Sequence, residues 1–177
     1  ENQPGAVITS PRGEVVIAAG KTVELVHSGS PEIRVEYTAG GEAVNAGEVV
    51  ARSGRIGIYG TLVKNSGLIS ASRAEVGDGG KIVLRALKDV TLDTSSRLEA
   101  NGAKGGQITA QADTETLIAQ GTIEAKGIEA KGGEIELLGQ RVAVTNAQVN
   151  ASGATGGGTI LVGGDFQGKN AAVQNAQ

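Results

Sequence analysis

The sequence predicts an all-β fold: a right-handed parallel β-helix (β-solenoid) of about five coils, with a small strand or hairpin outside the coil. Three observations carry this. A block of about 26 residues recurs along the chain. Within each block apolar residues alternate with polar ones, the period of a strand. Gly contributes 29 of the 177 residues, while there are one Phe, two Tyr and no Trp, Cys or Met. A globular core ordinarily draws large buried area from aromatics. A core without them needs a narrow interior that small aliphatic side chains can fill.

The first recurring block reads Gly80-Lys81-Ile82-Val83-Leu84-Arg85-Ala86, then Gly106-Gln107-Ile108-Thr109-Ala110-Gln111-Ala112, Gly133-Glu134-Ile135-Glu136-Leu137-Leu138-Gly139 and Gly158-Thr159-Ile160-Leu161-Val162-Gly163-Gly164. Its lead isoleucines are Ile82, Ile108, Ile135 and Ile160, and Ile56 stands one period earlier. A second block places Leu98, Ile123 and Val149 in register, followed by Ala100, Ala125 and Ala151, and then by Gly102, Gly127 and Gly153. Between the blocks lies a short apolar pair, Val90 and Leu92 in one repeat, Val142 and Val144 in another. Each repeat therefore holds about three short strands between turns. A propeller blade needs ~40–50 residues, and a helix does not tolerate Gly every few positions. Coils stacked ~4.8 Å apart place equivalent residues in ladders. Gly102, Gly127 and Gly153 are expected at turns of positive φ.

Two stretches depart from the repeat. Ser30-Pro31-Glu32-Ile33-Arg34-Val35-Glu36-Tyr37 alternates as a strand but has no counterpart in the ladder, so residues 28–46 read as an insertion. Lys21-Thr22-Val23-Glu24-Leu25, by contrast, echoes Lys88-Asp89-Val90-Thr91-Leu92 within the repeat. From Lys169 the period is lost. The chain is thus read as one β-helix domain over 1–168 and a frayed end or linker over 169–177. Residue 1 is Glu rather than Met, as expected of a piece of a longer chain.

Composition excludes several function classes. Without Cys there is no disulfide, thiolate zinc site or cysteine nucleophile. A single His, His27, excludes a cluster of imidazoles and is read as a surface or insertion-packing residue. A net charge of −3 with 39% hydrophobic residues argues against disorder. A pI near 5.3 argues against tracking nucleic-acid phosphates. No apolar stretch approaches the ~20 residues of a membrane span, and no signal peptide is visible.

Clustered carboxylates are the remaining route to chemistry, since a sugar-active β-helix needs a pair at a set separation. Glu99 and Glu124 fall on equivalent positions of adjacent coils, with Asn150 next; Glu134 and Glu136 form a local pair. Glu99 and Glu124 alternate with inward residues and read as a solvated polar ladder offset by Arg97 and Lys126. The aromatic platforms of a sugar groove are scarce, being limited to Tyr37, Tyr59 and Phe166. Asp78 and Asp165 sit beside Gly but do not recur every nine residues, so they read as turn residues rather than calcium ligands. Asn150-Ala151-Ser152 matches a glycosylation sequon. Asn65, Asn101 and Asn146 read as satisfying turn backbone groups. No catalytic, metal or cofactor residue is assigned and no cofactor is expected.

Gly79-Gly80-Lys81-Ile82-Val83-Leu84-Arg85-Ala86 followed by Lys88-Asp89-Val90-Thr91-Leu92-Asp93 resembles the filamentous-haemagglutinin family. Gly60-Thr61-Leu62-Val63-Lys64-Asn65-Ser66-Gly67-Leu68-Ile69-Ser70-Ala71 and the stretch Gly157–Gly168 resemble it too. These are large exoproteins of Gram-negative bacteria exported by two-partner secretion. The resemblance implies a secreted or surface-held rod segment of an adhesin or contact-dependent toxin. It implies as partners the flanking coils of the same chain, the outer-membrane transporter during export, and a host-cell or glycan receptor. Neither nucleic acid nor a membrane span is implied. The family's secretion domain carries an Asn-Pro-Asn-Gly-type motif, and this sequence has no Asn-Pro dipeptide. That points to the end of the secretion domain or just beyond it. Two alternatives stand beside the rod: a secretion module recognised by the transporter, and a polysaccharide-active β-helix enzyme.

Overall fold

The computed structural model describes residues 1–26, 32–36, 40–73 and 77–177. His27 and Tyr37 lie outside the described residues. The strands are β1 (Val7–Thr9), β2 (Glu14–Ala18), β3 (Thr22–Val26), β4 (Glu32–Glu36), β5 (Glu42–Asn45), β6 (Glu48–Val50), β7 (Arg55–Asn65), β8 (Leu68–Ser70), β9 (Lys81–Leu92), β10 (Arg97–Glu99), β11 (Gln107–Glu124), β12 (Glu134–Asn150) and β13 (Thr159–Val162). A 3₁₀ turn, Phe166–Gly168, is the only helical element among the described residues.

Every pairing except that of β3 with β4 is parallel, and the strands wind into a β-solenoid with three faces. The first face stacks β2, the start of β7, β9, β11 and β12, and β13. The second stacks β5 on the later parts of β7, β9, β11 and β12. The third stacks β1, β6, β8, β10 and the ends of β11 and β12. From Arg55 the first-face rungs begin at Lys81, Gln107, Glu134 and Thr159, which makes about four regular turns rather than five. The shortfall lies before Arg55. The passage from Glu14 to Arg55 is lengthened by a hairpin instead of completing a turn of ordinary length.

Alternation along each strand fills the interior. Val15, Ile56, Ile82, Ile108, Ile135 and Ile160 follow one another in register on the first face. Leu98, Ile123 and Val149 do so on the third, below Ile69 and Val49. Ile56, Ile82, Ile108 and Ile135 are at most 1% exposed, as are Leu98 and Ile123. Ile160 is 42% exposed because no rung lies over β13 among the described residues. Ala51, Ala71, Ala100, Ala125 and Ala151 end the third face, all buried. Each of these carbonyls accepts the amide of a glycine that opens the next first-face strand: Gly54, Gly80, Gly106, Gly133 and Gly158, at 2.7–2.9 Å. The same hydrogen bond thus closes the same corner in every coil.

The insertion differs from its expected bounds of 28–46. Thr22–Val26 pairs antiparallel with Glu32–Glu36 in a hairpin apart from the solenoid sheet. Glu42–Asn45, expected within the insertion, is instead a second-face rung stacked on Leu62–Asn65. Alternation marks both segments as strands; only the available neighbour decides which sheet each joins. The C-terminal stretch also differs from the frayed end expected over 169–177. Gln174 donates to Ala112 O at 3.2 Å and Asp113 O at 3.0 Å, Val173 is buried, and the Gln177 amide donates to Gln140 O at 2.8 Å.

While the register shift Ala119/Gly121 falls at the next corner, several irregularities share the corner between the first and second faces. The hairpin leaves there, after β2 and before β5. The C-terminal segment leaves there after β13 and returns beside Gln140. The register shifts Gly60/Leu62 and Ala112/Leu117 fall there as well.

Candidate functional site

The carboxylates weighed from the sequence lie on the outer side of the third face. Glu99 and Glu124 are register partners on adjacent coils. Each is held by a cation of its own coil. Arg97 Nη2 meets Glu99 Oε1 at 2.5 Å, and Lys126 Nζ meets Glu124 Oε2 at 2.8 Å. Asn101 Nδ2 adds a donor to Glu124 Oε2 at 3.4 Å. These pairs fold the carboxylates down onto the sheet, so the two side chains are only 18% and 19% exposed, less open than a solvated ladder would be. Next in the column, Asn150 turns its Oδ1 to the Ser152 amide at 2.9 Å. On the first face Glu134 and Glu136 accept hydrogen bonds from Gln107 and Thr109 of the coil before. The carboxylates are thus spread along outer columns and engaged by neighbours; they do not converge on a cleft. Among the described residues no three His, Asp or Glu side chains gather as a metal site would need.

The remaining singled-out residues lie at turns or pack against the backbone. The Asp78 carbonyl accepts Ser53 Oγ, and Asp165 accepts Asn170 Nδ2 at 3.0 Å. Asn101 accepts the Lys126 amide at 2.7 Å through Oδ1, tying one coil to the next. Asn146 adopts φ 52°, the left-handed region that Asn tolerates better than most residues. Tyr59 is buried, its ring lying over Gly57, where a Cβ would strike it.

The three turn glycines require a different explanation from positive φ. None of Gly102, Gly127 and Gly153 has a φ in the left-handed region. They stack on one another in parallel bridges. A Cβ would collide with backbone: Gly79 N at Gly102, Lys131 O at Gly127 and Gly132 N at Gly153. The packing of neighbouring backbone segments, not a dihedral, demands glycine here.

Sequence reasoning missed a polar column inside the core. Asn2 Nδ2 donates to Asn45 Oδ1 at 2.7 Å, Asn45 Nδ2 to Asn65 Oδ1 at 2.7 Å, and Asn65 Nδ2 to Ser96 Oγ at 2.6 Å. All four are buried. Second donor contacts reach the carbonyls of Glu48, Leu68 and Gly67, so the amides are satisfied as burial requires. In later coils the register partners of this position are Leu92, Ala119 and Val144. The signal available in the sequence was the repeated Asn-x-Gly of Asn45-Ala46-Gly47 and Asn65-Ser66-Gly67.

Among the described residues no helix is long and apolar enough to cross a membrane. No protein-family model, curated protein or solved structure matches this chain. The geometry defines a fold class: a β-solenoid with an aliphatic core, a polar column at its N-terminal end and paired charges on its outer surface.

Proposed function

We propose that the chain is a rod segment of a large secreted or surface-held bacterial exoprotein, an adhesin or contact-dependent toxin exported by two-partner secretion. The observation that supports this most is the unbroken in-register stack from Val15 to Ile160, with outer carboxylates engaged in side-chain pairs. Such a stack bears load through parallel backbone hydrogen bonds. Its partners are the coils that flank it in the same chain, the outer-membrane transporter during export, and a host-cell or glycan receptor. The resemblance of residues 60–71, 79–93 and 157–168 to the filamentous-haemagglutinin family supports the secretory route.

The test is surface display. An antibody raised against this segment should label intact cells that carry the whole gene with its adjacent transporter gene. Labelling should vanish when the transporter gene is deleted. Undiminished labelling after that deletion overturns the secretion route, and a globular outline of the purified full-length protein by electron microscopy overturns the rod.

A further inference from the structure

We propose that Asn101 is a covalent modification site, held unreactive by the stacked coils and converted to aspartate and isoaspartate when its corner opens. Asn101-Gly102 is the only Asn-Gly pair in the chain. In such a pair the Gly nitrogen, once it loses its proton, attacks the Asn Cγ. The new N–Cγ bond closes a succinimide, the Cγ–Nδ2 bond breaks and ammonia leaves. Water then opens the ring at either carbonyl. Glycine shields this attack least because it has no side chain.

The fold restrains both reactants. The Gly102 amide donates to Lys126 O at 3.1 Å. Asn101 Oδ1 accepts the Lys126 amide at 2.7 Å, and its Nδ2 reaches Glu124 Oε2 at 3.4 Å. From the other side, the Asn101 amide donates to Ser72 Oγ at 2.9 Å. Attack requires the Gly102 nitrogen to give up its bond and the side-chain amide to swing free of the next coil. Both events need the coils to part locally. The reactive partner cannot be replaced by a larger residue, because a Cβ on Gly102 would collide with Gly79 N. The tight corner thus builds in the labile pair, and the stack silences it.

Conversion has a structural consequence. Isoaspartate routes the main chain through the former side chain and adds one carbon to the backbone between Ala100 and Gly102. The bridge of Gly102 to Gly127 and the hydrogen bond of Gly106 to Ala100 are set by that spacing. A converted chain should therefore fail to restack here, leaving a permanent record of opening.

The experiment incubates the 177-residue chain in mildly alkaline buffer, native and in urea, and follows the Asn101 peptide by mass and chromatography. In urea the peptide should gain the mass of an amide-to-acid change and split into two isomers, absent from an Asn101→Gln chain. In native buffer the conversion should be slower by at least about tenfold. Equal rates in the two conditions, or no conversion in urea, overturn the proposal. After removal of urea, the unconverted chain should regain its thermal transition and the isoaspartate chain should not; full recovery by the latter overturns the register argument.

Discussion

Asn45 donates its side-chain amide to Asn65 at 2.7 Å across two adjacent coils, and both residues sit in the interior at 1% exposure or less. Register partners of the same position in later coils are Leu92, Ala119 and Val144, so the first coils exchange an apolar step for a polar one. Such a column favours one register, because slipping a coil would leave each amide facing an aliphatic side chain. The Asn65→Ala chain loses the acceptor for Asn45 and the donor to Ser96. It should be destabilised by about 1–3 kcal/mol, read as a lower urea midpoint at unchanged slope.

The isoleucine column supplies a second comparison. Ile108 lies between Ile82 and Ile135, while Ile160 ends the column at 42% exposure. Ile108→Asp places a carboxylate without partners in the core and should cost more than about 3 kcal/mol. Ile160→Asp should cost about 1 kcal/mol or less. Equal thermal shifts for the two would refute the stacking order.

The glycine corners separate collision from dihedral strain. Gly102→Ala meets the backbone of Gly79 and should destabilise by at least about 1–3 kcal/mol. At Gly157 a Cβ has nothing within 4 Å and φ is not left-handed. Gly157→Ala should leave stability unchanged or raise it by up to about 1 kcal/mol. Thermal melts of the two single variants decide the matter.

The ion pairs on the third face bear on both stability and chemistry. Arg97 and Lys126 have side chains 62% and 39% exposed, so their pairs should contribute less than about 1 kcal/mol each. Glu99→Gln with Glu124→Gln should therefore melt close to the parent chain. Neither protein should depolymerise polysaccharide; activity in the parent that the double variant loses would overturn the rod reading in favour of an enzyme.

The stack of coils is legible in the sequence because recurring residues meet their own equivalents: Ile82, Ile108 and Ile135 stand at the same point of successive repeats and become register partners. The partners of Thr22–Val26 and Glu42–Asn45 are not legible, since alternation reports a strand but not its neighbour. The candidate site divides in the same way. The charges that neutralise Glu99 and Glu124 stand two residues away in the sequence and are easily read. The burial of Asn45 and Asn65 is not, because an Asn before Gly reads equally as a turn residue or as an inward one. The need for Gly at 102, 127 and 153 was visible, but a dihedral and a collision leave the same mark on a sequence.

The shared exit corner has an evolutionary reading. Both long excursions, and the register shifts Gly60/Leu62 and Ala112/Leu117, fall on the seam joining the first two faces, while opposite it the alanine-to-glycine hydrogen bond recurs even as the chain it closes changes in length from residues 52–53 to residues 72–79. New segments acquired along that seam interrupt no aliphatic column. They would also emerge on one side of the rod, as a crest whose height varies while the shaft beneath keeps its cross-section.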